Sequence, residues 1–118
     1  MSAMTTAIIV DWTHYKGDPT TQRYIQRITT QAPKTSTVLM VSDPNDTLSC
    51  PSHIPEIEWD VIIRNTGTLN DVKFKTKAFS VITEVSDLVP VIAFDDNHQI
   101  NLMYRENGVL ITLEDFTE

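Results

Sequence analysis

The chain predicts an α/β fold, a doubly wound sheet of about five parallel strands with helices on both faces. Three observations lead there. Five short runs rich in Val and Ile are continuous rather than alternating, as strands buried on both faces are. Apolar residues between them recur at helical spacing. Several runs also end in a carboxylate or hydroxyl, at Asp11, at Ser42-Asp43 and at Asp95-Asp96, and sheets of this kind bind ligands beyond the carboxyl ends of their strands.

Taken in order, the first strand covers residues 7–10 and ends at Asp11. Asp18-Pro19 is a helix start signal, a cap followed by proline at the first helical position, for residues 20–31 with Ile25 and Ile28 facing inward. The second strand covers 37–41. Residues 43–58, with Pro44, Pro51 and Pro55, read as a long loop where a helix would otherwise lie. A third strand at 61–63 precedes Arg64-Asn65-Thr66. Asp71 can cap a helix at 72–85, where Phe74, Ala78, Val81, Ile82 and Val85 share a face. The fourth strand spans 89–94. A last helix at 97–107 buries Ile100, Met103 and Tyr104 and stops at Gly108, a left-handed cap, before a fifth strand at 109–113.

The bulk composition bounds the function. The 118 residues fit one domain, 1–118, and 41% hydrophobic residues support a core. The longest apolar runs, such as 91–94, are too short to cross a bilayer, so no membrane partner is expected. Residues 1–6 lack the basic start and apolar stretch of a signal sequence. A single cysteine, Cys50, excludes an internal disulfide and suits a reducing compartment. The expectation is a cytoplasmic protein, in whatever cell makes or hosts it. Net charge is −7, from 16 acidic and 9 basic residues, which argues against non-specific binding of long nucleic acid. It leaves room for a small phosphorylated ligand held by local cations, or for a basic protein partner. With 3 glycines the chain has neither a Walker loop nor G-x-G-x-x-G.

Carboxylates gathered from separate strand ends repel unless a cation joins them, and hard oxygen ligands suit Mg²⁺. The plain alternative is that an Asp after a strand forms a turn or caps a helix, as Asp96 could for 97–107. His14, His53 and His98 lack metal-ligand spacing and read as surface residues. Trp12 and Tyr15 read as packing over the strand end.

Arg64 follows an apolar strand, Asp71 comes next, and Phe74-Lys75-Thr76-Lys77-Ala78-Phe79 opens a helix. Phe94-Asp95-Asp96-Asn97-His98-Gln99-Ile100-Asn101 and on to Gly108 completes the series. With these elements the stretch from Trp59 to Val109 resembles the haloacid-dehalogenase-like (HAD) phosphatases, in particular the 3′-phosphatase domains of phage-type polynucleotide kinases. Ala7-Ile8-Ile9-Val10-Asp11 is similar to the first motif of that superfamily, and residues 37–42 are similar to the hydroxyl-bearing second. The resemblance implies a minimal HAD-like Rossmannoid three-layer sandwich. It implies Asp11 as the nucleophile that forms an aspartyl-phosphate, with Ser42 donating to the phosphoryl oxygens. It further implies Lys75 neutralising shared charge, Arg64 contacting substrate, and Asp11, Asp95 and Asp96 holding Mg²⁺. Ser42 could instead end a strand in a turn, Arg64 could pair with Asp71, and Lys75 sits between Lys73 and Lys77, so its register is open.

The sequence departs from this family at Thr13. A second Asp normally stands two residues after the nucleophile as general acid/base, and a threonine hydroxyl cannot hold that role near neutral pH. Asn97 also replaces an Arg that often follows the acidic pair. The short connection after Asp11 leaves no room for a cap domain, so the site is open to large substrates or covered by another subunit or partner. Two functions follow. One is a Mg²⁺-dependent phosphatase of a phosphate monoester, a nucleotide or a polynucleotide end. The other is a catalytically impaired HAD-like module that binds or regulates.

Overall fold

The computed structural model describes residues 5–49, 54 and 56–110. Its elements run β1 (Thr5–Asp11), α1 (Trp12–Gly17), α2 (Pro19–Gln31), β2 (Ser36–Val41), β3 (Val61–Arg64), α3 (Asp71–Val85), β4 (Leu88–Phe94) and α4 (His98–Glu106). The four strands are all parallel and lie in the order β3-β2-β1-β4. The expected fifth strand is met only at its start. Leu110 bridges to Ile92 in parallel, donating to the Val91 carbonyl at 3.1 Å and accepting from Ala93 N–H at 2.7 Å. Residues 111–113 of that expectation lie outside the described residues, so the described sheet has four strands.

The side-chain period of a strand sends successive residues to opposite faces, and the central strands use this fully. Ala7, Ile9, Val38, Met40 and Ala93 face α3 and α4, packing with Phe74, Ala78, Phe79, Ile82, Ile100 and Tyr104. Ile8, Val10, Leu39, Val41, Ile92 and Phe94 face α1 and α2, packing with Trp12, Tyr15 and Ile25. The sheet is thus covered on both faces. Burial on both faces, expected for every strand, fails away from the centre: Ile62 on the edge strand is 48% exposed, and Val89 and Val91 on β4 are 36% and 39% exposed. Pro90 has no N–H to give the ladder, and there the register slips. Ala7 is opposite Pro90 but Ile8 is opposite Ile92, so Val91 is bulged out.

The helices follow their caps. Asp18 accepts from Thr20 N–H at 3.1 Å with Pro19 in the first helical position, as the sequence predicts. A short helix, α1, fills what the sequence left as a bare connection. It is started by Asp11 itself, and it buries Trp12 and Tyr15, whose rings stack at 6.0 Å. The expected Asp71 cap is corrected by one residue. Asn70 caps α3, accepting from Lys73 N–H at 2.9 Å, and Asp71 lies inside the first turn. The apolar face of α3 is also narrower than expected, since Val81 and Val85 are 44% and 74% exposed while Phe79 is buried. Asn97 caps α4, so the alternative of Asp96 as cap does not hold. The chain leaves α4 through Gly108 at φ 79, the left-handed stop that the sequence predicts.

Candidate active site

The chain leaves β1 toward β2 on one side and reaches β4 on the other, so the connections diverge between β1 and β4. That switch point is where doubly wound sheets open a crevice. Asp11 ends β1 and Asp95 follows β4, and both carboxylates are buried, 6% and 7% exposed. Between them stands Lys75 from the second turn of α3, 1% exposed. Its ammonium donates to Asp11 Oδ1 at 2.7 Å and to Asp95 Oδ2, and it lies 3.5 Å from Asp71 Oδ1, one helical turn back. The register left open by three neighbouring lysines is settled: Lys75 points in, and Lys73 and Lys77 are exposed.

Each carboxylate is also held by backbone. Asp11 Oδ2 accepts from His14 N–H at 2.9 Å, which makes the residue a helix cap and an ion-pair partner at once. Asp95 Oδ1 accepts from Asn97 N–H at 2.9 Å, while Asn101 Nδ2 donates to the Asp95 carbonyl at 2.8 Å. Asp96 is exposed, and oxygens of Asp11, Asp95 and Asp96 lie within 4.8 Å of one another. Ser42, at the end of β2, donates its hydroxyl proton to Asp71 Oδ1. Asp71 therefore ties β2 to Lys75. The sequence offered this in the i,i+4 spacing of Asp71 and Lys75, although Asp71 reads there as a cap or as a partner for Arg64.

The electrostatics are lopsided. Burial opposes the charge on Lys75, but the charges of Asp11 and Asp95 and the hydrogen bonds to them prevail, and its pKa stands above the ordinary lysine value. Burial raises Asp95 above the ordinary carboxylate value, Lys75 and the Asn97 N–H only partly offset this, and the Asp11 charge adds to it. The two shifts assign the pair opposite fates: the ammonium gains, the carboxylate is left strained. The asymmetry has a simple cause, since one ammonium serves Asp11, Asp71 and Asp95. Beneath the cluster the Tyr104 hydroxyl donates to Met40 Sδ at 3.5 Å, and burial together with the nearby carboxylates holds it protonated.

Asp11, Asp95 and Asp96 offer hard oxygen atoms, the kind of ligand that could hold a divalent cation, and a buried Asn101 Oδ1 accepts from no described group. The other residues singled out from sequence lie further out. Thr13 is exposed on the first turn of α1. Arg64 is exposed and donates to the Asp46 carbonyl at 2.6 Å; the pairing with Asp71 weighed from sequence is not made, because Asp71 is taken by Ser42 and Lys75. Among the histidines, His14 is half-buried with Nε2 3.2 Å from Thr21 Oγ1, His98 is exposed, and His53 lies outside the described residues. Trp12 packs rather than lining the acidic cluster, and its Nε1 donates to Asp46 Oδ1 at 3.1 Å. Asp46 was missed in the sequence. It also accepts from Lys16 Nζ at 3.1 Å and Leu48 N–H at 2.9 Å, pinning the loop after β2 against α1.

Solved structures that share the fold include chains of the Pnkp1/Rnl/Hen1 RNA repair complex and of a Pnkp1/Rnl/Hen1 complex. One superposes with a TM-score of 0.61 at 10% identity, over 95% of this chain and 43% of that one. The second gives 0.62 at 13% identity, over 95% and 46%. At such identities the likeness is one of fold, and this chain spans under half the length of those neighbours. No family model and no curated protein matches the chain. Among the described residues no helix is long and apolar enough to cross a membrane.

Proposed function

We propose that the protein is a Mg²⁺-dependent phosphohydrolase of capless HAD type, acting on a phosphate monoester, either a nucleotide or the end of a polynucleotide, through an aspartyl-phosphate. The observation that carries the proposal is Lys75, buried between Asp11 and Asp95 at the strand ends. A buried ammonium has to be paired, and here its partners are the two carboxylates at the strand ends, where ligands of such sheets bind. Likeness to chains of an RNA repair complex supports a nucleic-acid end within this class of substrate.

In this reading an Asp11 oxygen attacks phosphorus, and the ester P–O bond breaks with its electrons leaving on the alcohol oxygen, which takes a proton from solvent. Water then displaces the carboxylate, releasing inorganic phosphate and restoring Asp11. Lys75 neutralises the negative charge shared by Asp11 and the incoming phosphate. Ser42 would turn its single hydroxyl proton from Asp71 to a phosphoryl oxygen. Arg64, already reaching the loop after β2, would contact a substrate crossing that loop. Asp11, Asp95 and Asp96 would hold Mg²⁺, which supplies charge neutralisation in the transition state.

The test is phosphate release from a panel of monoesters with Mg²⁺, comparing wild type with Asp11→Asn. Release that vanishes in the variant supports Asp11 as nucleophile, whereas equal background release from both rejects the phosphatase. A second reading, a HAD-like binding or regulatory module, is favoured by Thr13, an exposed hydroxyl where an acid would protonate the leaving group. Thr13→Asp separates the two. A gain of roughly 10²–10⁴-fold in release supports a site that lacks only its acid. No gain favours the module, whose open site a partner protein or a second copy would cover.

A further inference from the structure

Residues 12–31 carry Lys16, Arg23 and Arg27 against one carboxylate, Asp18, in a chain where acidic residues outnumber basic ones 16 to 9. Lys16 is already paired with Asp46 at 3.1 Å, and Asp18 accepts from Thr20 and Thr21. Arg23 and Arg27 are both exposed, and neither has an ion-pair partner among the described residues. Lying four apart on α2, they share a helix face. With Thr20 and Tyr24 they line a groove of about 200 Å³. Its inner wall is Tyr24, whose ring packs against Phe94 with centroids 5.6 Å apart. Phe94 is the last residue of β4 and is bonded directly to Asp95. Phe94 points to the α1–α2 face, opposite to the one on which Asp95 meets Lys75. The groove joins the cluster through the first turn of α2, where Thr21 Oγ1 lies 3.2 Å from His14 Nε2 and the His14 N–H donates to Asp11 Oδ2 at 2.9 Å.

We propose that this groove holds a second phosphate of the same substrate, an internal phosphodiester of a nucleic-acid strand whose terminal phosphate lies at the cluster. The inference rests on the reading of the Asp11 cluster as the place where that terminal phosphate reacts. Guanidinium groups present planar forks that match phosphate oxygens, and the Thr20 hydroxyl adds a neutral donor beside them. A simple monoester has no phosphate to offer here, so the groove separates strand ends from small phosphorylated metabolites. The net charge of −7 keeps the grip local, on the end of a strand rather than along its length.

The test uses the full chain and an Arg23→Gln/Arg27→Gln variant; glutamine keeps the helix and both positions are exposed. The probes are a fluorescein-labelled single-stranded decanucleotide with a 3′-phosphate, and p-nitrophenyl phosphate. Anisotropy titration of the decanucleotide should show affinity about tenfold weaker in the variant with a shallower salt dependence, the contacts of both arginines to that one phosphodiester being lost. The kcat/KM for the decanucleotide should fall by a similar factor, while that for p-nitrophenyl phosphate stays within about twofold. Unchanged affinity and salt dependence overturn the groove and leave the phosphatase standing. If wild type releases phosphate from neither probe, the phosphatase reading fails, and arginine-dependent binding alone then decides the groove.

Discussion

Asp95 is held where its own charge is disfavoured, and that has a measurable sign. Its pKa is raised in the folded state, so the folded protein binds this proton more readily than the unfolded chain does. The group's contribution to stability is therefore fully present below the ordinary carboxylate value of 3.8 and is lost as pH rises through the raised one. In EDTA, thermal denaturation from pH 4 upward should show this downward trend, and Asp95→Asn should flatten it. Asp18 and Asp46, both lowered by hydrogen bonds, act in a separate window, losing stability only as pH falls below 3.8. Lys75 is the complementary case. Lys75→Met leaves Asp11 and Asp95 buried without their cation, and should cost about 3–5 kcal/mol in urea denaturation. Adding Asp11→Asn and Asp95→Asn to that variant should recover part of the loss, because the uncompensated charge is then gone.

At the scale of elements, much of the architecture was legible and the misses have physical causes. Asp18-Pro19 and Gly108 marked helix ends by their own conformational limits, which no tertiary contact had to supply. Asn70 and Asp71 are both good caps, and only the fold decides which sits outside the first turn. The decision matters to the site, since capping by Asn70 frees Asp71 for Ser42 and Lys75. Asn70→Ala should cost about 1 kcal/mol by denaturant titration. Gly108→Ala meets no steric obstacle, but φ 79 is unfavourable to alanine, and a loss of roughly 1–2 kcal/mol is expected in the same assay. Periodicity could not tell that Val81 and Val85 lie outside the packed face, and continuous apolar runs could not say which strands would be edges. Asp46 was invisible because its partners Trp12 and Lys16 are 34 and 30 positions away.

For the molecule as a whole, the proposed cation acts as a folding ligand. The unfolded chain scatters Asp11, Asp95 and Asp96, so Mg²⁺ would bind the folded form alone and stabilise it by mass action. At a hundredfold excess over Kd that amounts to about 2.7 kcal/mol, a shift of several degrees in Tm for a chain of this size. Scanning calorimetry with and without Mg²⁺ should register it in wild type, and not in an Asp11→Asn/Asp95→Asn variant. Equal Tm values in wild type would remove the cation from the proposal.

Lys75 meets Asp11 across 64 positions of chain and Asp95 across 20, and Ser42 meets Asp71 across 29. Such contacts close only after β1, β2, α3 and β4 have assembled, because loop closure has to be completed before distant partners reward it. The cluster is thus expected to be absent from the rate-limiting barrier to folding. Its substitutions should leave the refolding limb of a chevron plot almost unmoved and steepen the loss through faster unfolding. The lysine would then set how long each molecule stays folded, while having little say in how quickly it gets there.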